Sequence, residues 1–397
     1  MAEYQIKNGV GIIPEGTIII KERAFIFCED LITIAVPSSV VKIGEEAFCG
    51  CSNLIEVVLP NSLEEIGEDA FCSCSSLSSI SIPESIVKID KGAFYKCGSL
   101  AEIVIPNSIK IIGSHAFNGC TSLSSITIPS SVMFIDGNPF ENCSNLTKIR
   151  VDESNSRYDS RNNCNAIIKT STNELISGCQ NTIIPDSVEA IGSCAFYGCV
   201  NLSSLIIPDS VVKMGEGAFD GCIGLETVKL PDSLSIIEGH TFEDCKKIGD
   251  VTIPDGVEAI GDYAFYGCSS IKYILIPHSV RTIDELAFAR CSGLTSITIP
   301  SSVHGLGGNA FADCSGLKSV IVDAELKIIK EYTFSDCSSL ETITLPAGIC
   351  LIEEEVFSEC DALKYIYVPS NEIEHYKELL PEELHPLIMD SGFHTKD

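Results

Sequence analysis

The residues best equipped for chemistry in this chain are its 20 cysteines, since a thiolate is both a nucleophile and a metal ligand. Cys49, Cys51, Cys72 and Cys74 write a Cys-x-Cys pair twice, once in each of two successive repeats, so four thiols could meet as a zinc set, although Cys-x-Cys is tighter than the usual ligand spacing. Cys164 and Cys179 fall on two apolar arms that read as a hairpin, and could pair as a disulfide in an oxidising compartment. The histidines, His115, His240, His278, His304, His375, His385 and His394, show no ligand spacing and read as solvated single residues. No Gly-x-Ser-x-Gly, phosphate loop or His-Glu-x-x-His is present. Asp152, Glu153 and Asp159 near Arg157 and Arg161 make an ordinary charged loop. The expectation is a protein with no catalytic residues, no cofactor and no enzymatic activity.

What positions these residues is a repeat. Fourteen of the 17 phenylalanines share one register at a constant interval of 23, Phe25 to Phe140 and Phe196 to Phe357. Each is followed three residues later by a cysteine and, except for Phe334, preceded eleven residues earlier by a proline. A column of cysteines has a simpler meaning than a metal site or a disulfide framework: a small, soft apolar side chain fits each tight turn. Equivalent side chains on stacked coils also run parallel, at a spacing wider than a disulfide prefers.

Between these columns Leu-x-x-Ile-x-Ile-Pro recurs, as in Leu123 to Pro129, a short strand closed by proline. A second short edge at Ser-Val-x-x-Ile-Gly and a tight or 3₁₀ turn at Ala-Phe-x-x-Cys complete the coil. A coil this small cannot bury its own apolar face, so successive coils must stack. The fold expected is a β-rich leucine-rich repeat solenoid, a right-handed superhelix with a curved parallel sheet and a C-terminal helical cap. Residues 1–13 would cap the start, 14–151 and 182–369 would be repeats, and 370–397 would be a helical cap and tail. Residues 152–181 carry ten extra residues and read as a hairpin standing off the solenoid. Asn371 with Glu374 reads as a capping-box helix start, with Ile373, Tyr376, Leu379 and Leu380 on one apolar side.

Composition narrows the partners. A net charge of -29 repels phosphate backbones and anionic lipid, so neither nucleic acid nor a bare membrane is an expected partner. No stretch of eighteen apolar residues and no basic-then-apolar leader occurs, so no membrane insertion and no signal peptide are expected in the chain as given. Acidic runs such as Glu45-Glu46 and Glu353-Glu354-Glu355 read as a solubilising rim.

The phrase LxxIxIPxSVxxIGxxAFxxC, over roughly residues 12 to 370, resembles the leucine-rich repeats of the BspA-like surface proteins of anaerobic bacteria and some protozoan parasites. The ladder position usually held by Asn is Ser here, from Ser39 to Ser210, and the insert around Tyr158 to Cys179 is similar to an island of bacterial members. The resemblance implies a cell-surface or secreted protein that binds host matrix proteins, other bacteria or cell surfaces. The outward positions of the strands form the concave sheet on which such a solenoid would bind. Lys148 with Arg150, Tyr273 with Leu275, and Tyr365 with Tyr367 beside Thr342 and Thr344 stand out there, tyrosine suiting protein or sugar ligands alike. A protein-binding adhesive module is the reading, and a carbohydrate-binding surface protein is its alternative.

Overall fold

A computed structural model describes residues 4–393, and the chain divides into two compact units, Met1–Leu202 and Ser203–Asp397. His394 lies outside the described residues. Each unit is a parallel β-solenoid whose coils have three sides.

The first side is the strand of the leucine phrase. In the first unit Val10–Ile12, Thr33–Ala35, Glu56–Val58 and Ser79–Ile80 pair in parallel, as do Ser125–Ile128 and Lys148–Val151. In the second unit Ser296–Ile299, Ser319–Val322, Thr342–Thr344 and Tyr365–Val368 do the same. Register is kept residue for residue at an interval of 23, as in Ser125 beside Lys148 and Thr342 beside Tyr365. The second side is a two-residue strand, such as Lys88–Ile89, Ile111–Ile112 and Phe134–Ile135. Glycine follows this strand in many coils because the neighbouring backbone is close. A Cβ on Gly113 would sit 2.6 Å from the Lys91 nitrogen, and one on Gly261 2.6 Å from that of Gly239.

The third side is the Ala-Phe-x-x-Cys turn, and it is not 3₁₀ helix. Two left-handed residues flank the phenylalanine, for example Tyr263 (φ 56°) and Gly267 (φ 71°) around Phe265. Alternate amides then point along the stack: Phe25 donates to Ala47 O at 2.8 Å and Phe27 to Cys49 O at 2.7 Å. The turn is thus a third coil-to-coil ladder, whose hydrogen bonds orient most of the phenylalanines, while Phe140 N–H donates to Asn138 Oδ1 within its own coil. The rings stack: Phe25 to Phe48 and Phe48 to Phe71 lie 5.2 Å apart and within 7° of parallel, and in the second unit Phe265 and Phe288 repeat the geometry at 5.2 Å and 4°. Tyr4 covers the first ring at 5.1 Å.

Two expectations are corrected. The island does contain an antiparallel hairpin, Ile167–Lys169 with Glu174–Ser177, but it does not stand off the solenoid. Ala166, Ile167, Ile168 and Leu175 are wholly buried, and Glu174–Ser177 pairs in parallel with Ala190–Ile191. Together with Tyr158–Asp159 the hairpin widens the second side locally, because its four apolar residues cost too much to leave in water. The C-terminal helix is Ile373–Leu379, entered through a 3₁₀ turn at Ser370–Glu372 with no side-chain cap, and Asn371 donates to Glu372 instead of closing a capping box. Tyr376 carries the docking, fully buried with its hydroxyl donating to Pro346 O at 2.6 Å. Beyond the helix, Ile388–Asp390 adds a strand beside Tyr365–Val368.

Two glycine substitutions separate close approach from backbone strain. Gly113→Ala, which drives a methyl group into the preceding coil's backbone at Asp90 and Lys91, is expected to cost about 2–3 kcal/mol. Gly16→Ala, at φ 81° with open space around it, pays only the left-handed penalty of about 1 kcal/mol. Urea denaturation of both variants measures the difference.

Candidate binding surface

Strand alternation makes the outward-facing surface. In Lys148–Val151 the pattern is exposed, buried, exposed, buried, so Lys148 and Arg150 stand out of the sheet on either side of Ile149. That pair belongs to the first unit. In the second unit Tyr273 and Leu275 flank buried Ile274 on a segment, 271–276, that forms no strand, and are 70% and 78% exposed. Thr342 and Thr344 lie beside Tyr365 and Tyr367, and the two tyrosine rings are 5.8 Å apart at 32°. The structure therefore gathers Thr342, Thr344, Tyr365 and Tyr367 on adjoining strands and adds Met389, exposed and opposite Tyr367.

Met389 had no readable strand phrase around it. Ile183, 74% exposed in the first unit, did have one: Cys179-x-x-Thr182-x-Ile184-Pro185 is the strand phrase with Cys for Leu and Thr for Ile.

The thiols serve the fold. Cys51, Cys74, Cys97, Cys120 and Cys143 each donate S–H to the carbonyl of the phenylalanine 26 residues earlier at 3.0–3.3 Å, and Cys245 to Cys360 repeat this in the second unit. The column position thus needs a donor as well as a small apolar volume. The quartet Cys49, Cys51, Cys72 and Cys74 divides for that reason. Cys51 and Cys74 are committed to the carbonyls of Phe25 and Phe48, while Cys49 and Cys72 are half-buried. Among the described residues no three His, Cys, Asp or Glu side chains converge as a metal set. Cys164 and Cys179 are both buried free thiols, with their sulfurs directed at the carbonyls of Ala166 and Asn165.

Several histidines are not solvated singles. His115 Nδ1 lies 3.0 Å from Glu141 Oε2, a nearly buried carboxylate that also accepts from Asn118 at 2.7 Å, and burial raises the Glu141 carboxyl against the pull of His115. His240 lies 2.5 Å from Glu243 and stacks on Tyr263 at 4.8 Å. Burial and the neighbouring Glu243 push Asp220 up to about 7. His375 and His385 bond the carbonyls of Ile349 and Leu380 at 2.7 and 3.0 Å. The island charges also neutralise one another, Arg161 pairing with Asp159 at 2.7 Å.

Leucine-anchored parallel strands, a short return edge and a hydrogen-bonded turn define each unit as a leucine-rich repeat solenoid. The family model described as the BspA type leucine rich repeat region matches residues 10–103, 87–177, 167–294 and 258–378, and the chain belongs to that family. It is similar to a leucine rich cell surface protein of Faecalibacterium prausnitzii, at 27% identity and a TM-score of 0.53, over 94% of this chain and 80% of that one. Two further leucine-rich repeat structures share the fold. One, from Bacteroides ovatus, matches at 22% identity and a TM-score of 0.51, over 92% of this chain and 97% of its own. The other, from Eubacterium ventriosum, matches at 21% and 0.54, over 75% and 80%. No curated protein matches the sequence. Among the described residues no helix is long and apolar enough to cross a membrane.

Burial is the first cause raising the column thiols, Cys51, Cys120 and Cys291 being pushed up to about 12 from an ordinary value near 9. A thiol that stays protonated when folded but ionises when unfolded stabilises the fold fully below about pH 9. That contribution is lost as pH rises from about 9 towards 12. Denaturation midpoints are expected to fall steeply across that window, and less steeply in a Cys120→Ala/Cys291→Ala variant.

Proposed function

We propose that this protein is a non-enzymatic binding module, displayed at the cell surface or secreted, that recognises a host matrix or cell-surface protein through the outward face of its strands. The observation that carries the reading is Tyr273 with Leu275: two large apolar side chains left 70% and 78% exposed on either side of one buried residue, in a unit that also leaves Ile206 74% exposed. Leaving them in water costs solubility with no gain to the fold, whereas an interface would bury them. Tyrosine adds rigid contact area and a hydroxyl at low entropic cost, which suits an anchor at the centre of a protein contact.

Around this spot the Ser and Thr positions supply hydrogen-bonding groups, and the paired Tyr365 and Tyr367 beside Thr342 and Thr344 offer a second anchor. Lys148 with Arg150 gives the first unit a basic spot suited to an acidic partner. Likeness to a leucine rich cell surface protein of F. prausnitzii, at 27% identity, supports the location.

Surface-binding assays against immobilised matrix proteins and whole cells test this. Tyr273→Ala/Leu275→Ala is expected to weaken binding at least about tenfold, the loss of a buried anchor pair. Undiminished binding would remove the face from the mechanism, and binding confined to a glycan array would make the ligand a carbohydrate.

A further inference from the structure

The first ring of the first unit's stack and the last ring of the second unit's stack are finished differently. At the start Tyr4 closes over Phe25 at 5.1 Å. At the other end Phe357 receives Phe334 on one face at 6.1 Å and 7°, and it is half-buried where the other stacked rings of the second unit are wholly buried. The C-terminal helix docks through Tyr376 on Pro346, beside the strand side of the last coil, and leaves the outer side of the turn open.

A cavity of about 690 Å³ lies there, lined by residues 352–361 of the last turn and by 379–384 of the cap. Nothing from the preceding coil lines it, so it faces the C-terminal side of Phe357, where a further ring of the stack would lie. Its floor is apolar: Val356 and Phe357 from the coil, Leu380 and Leu384 from the cap. Its rim is acidic: Glu354, Glu355, Glu359 and Asp361 from the coil, Glu383 from the cap. Among the described residues the lysines of this region pair with other carboxylates, Lys364 with Glu341 and Lys377 with Glu374, and none pairs with a rim carboxylate.

We infer that this end pocket binds a polypeptide segment carrying an aromatic side chain flanked by lysine or arginine, the ring continuing the phenylalanine stack and the cations meeting the carboxylate rim. The volume lies within the range of about 300–1,000 Å³ usual for ligand sites. Parallel rings at this spacing attract beyond their buried area, and a carboxylate rim favours a cationic partner. The site is separate from the strand face proposed above, and neither depends on the other.

The chain contains no tryptophan, so the fluorescence of a peptide tryptophan reports binding without background. Acetyl-Lys-Trp-Lys-amide titrated with the whole protein is expected to show a saturable blue shift. Glu354→Gln/Glu383→Gln, which neutralises one carboxylate on each wall, should weaken it about tenfold, as should replacing both peptide lysines by glutamine. Glu64→Gln in the first unit and Tyr273→Ala on the outward face should leave it unchanged. Absence of saturation, equal binding of the neutral peptide, or an equal loss in Glu64→Gln would overturn the assignment. These rim carboxylates are exposed, so their variants fold irrespective of whether Phe357 tolerates replacement.

Discussion

Each coil must hydrogen-bond to the next along all three of its sides at once, and this single constraint governs the molecule. A parallel strand has no partner within its own coil, so its amides and carbonyls are satisfied only when the neighbour is in register. Phe25 N–H reaching Ala47 O and Ser125 lying beside Lys148 are two expressions of one repeat interval. A register slip in any coil would strand buried backbone groups on three ladders, a penalty of several kcal/mol that no side-chain contact could offset.

Much else follows from that interval. Phenylalanine rings stack because equivalent positions are brought to the spacing of the strands, and glycine appears where one backbone lies against the next. Serine at the position usually held by asparagine reaches back in some coils, Ser62 Oγ donating to Val40 O at 3.0 Å and Ser233 Oγ to Val211 O at 2.7 Å, whereas Ser108, Ser131, Ser279 and Ser302 are buried without a partner. Cysteine is chosen over alanine because a carbonyl turned inward at each phenylalanine needs a donor, and the weak S–H supplies it. The positions the ladders do not use, the outward side chains of the strands and the last turn of the array, are the ones left free for contacts outside the fold.

The repeat, its register and the alternation that exposes Lys148, Arg150, Tyr273, Leu275, Tyr365 and Tyr367 were legible because a period of 2 within a period of 23 leaves little freedom. The Asn8-Gly9 hairpin that opens the first sheet was also written plainly, in residues with φ of 52° and 81°, within the segment 1–13 read only as a cap. Two things were hidden for physical reasons. The polar text of the island concealed how fully Ile167, Ile168 and Leu175 are buried, since burial is decided by neighbours from other coils, well outside any local window of sequence. The thiol hydrogen bonds depend on which way a carbonyl turns, and left-handed residues such as Tyr263 and Glu355, which turn it, carry no type preference that marks them. The end pocket was invisible for the same reason, because its two walls are brought together only by the docking of Tyr376.

The claim that a fixed register holds the chain together is tested most directly by excising one coil. Deleting residues 265–287 brings Phe242 into place against Phe288 and leaves all three ladders continuous, while deleting residues 266–287 removes one residue fewer and breaks the register. Urea unfolding followed by circular dichroism should show a cooperative transition with a native-like midpoint for the first variant and collapse of the second unit for the second. Equal destabilisation of the two would contradict the account.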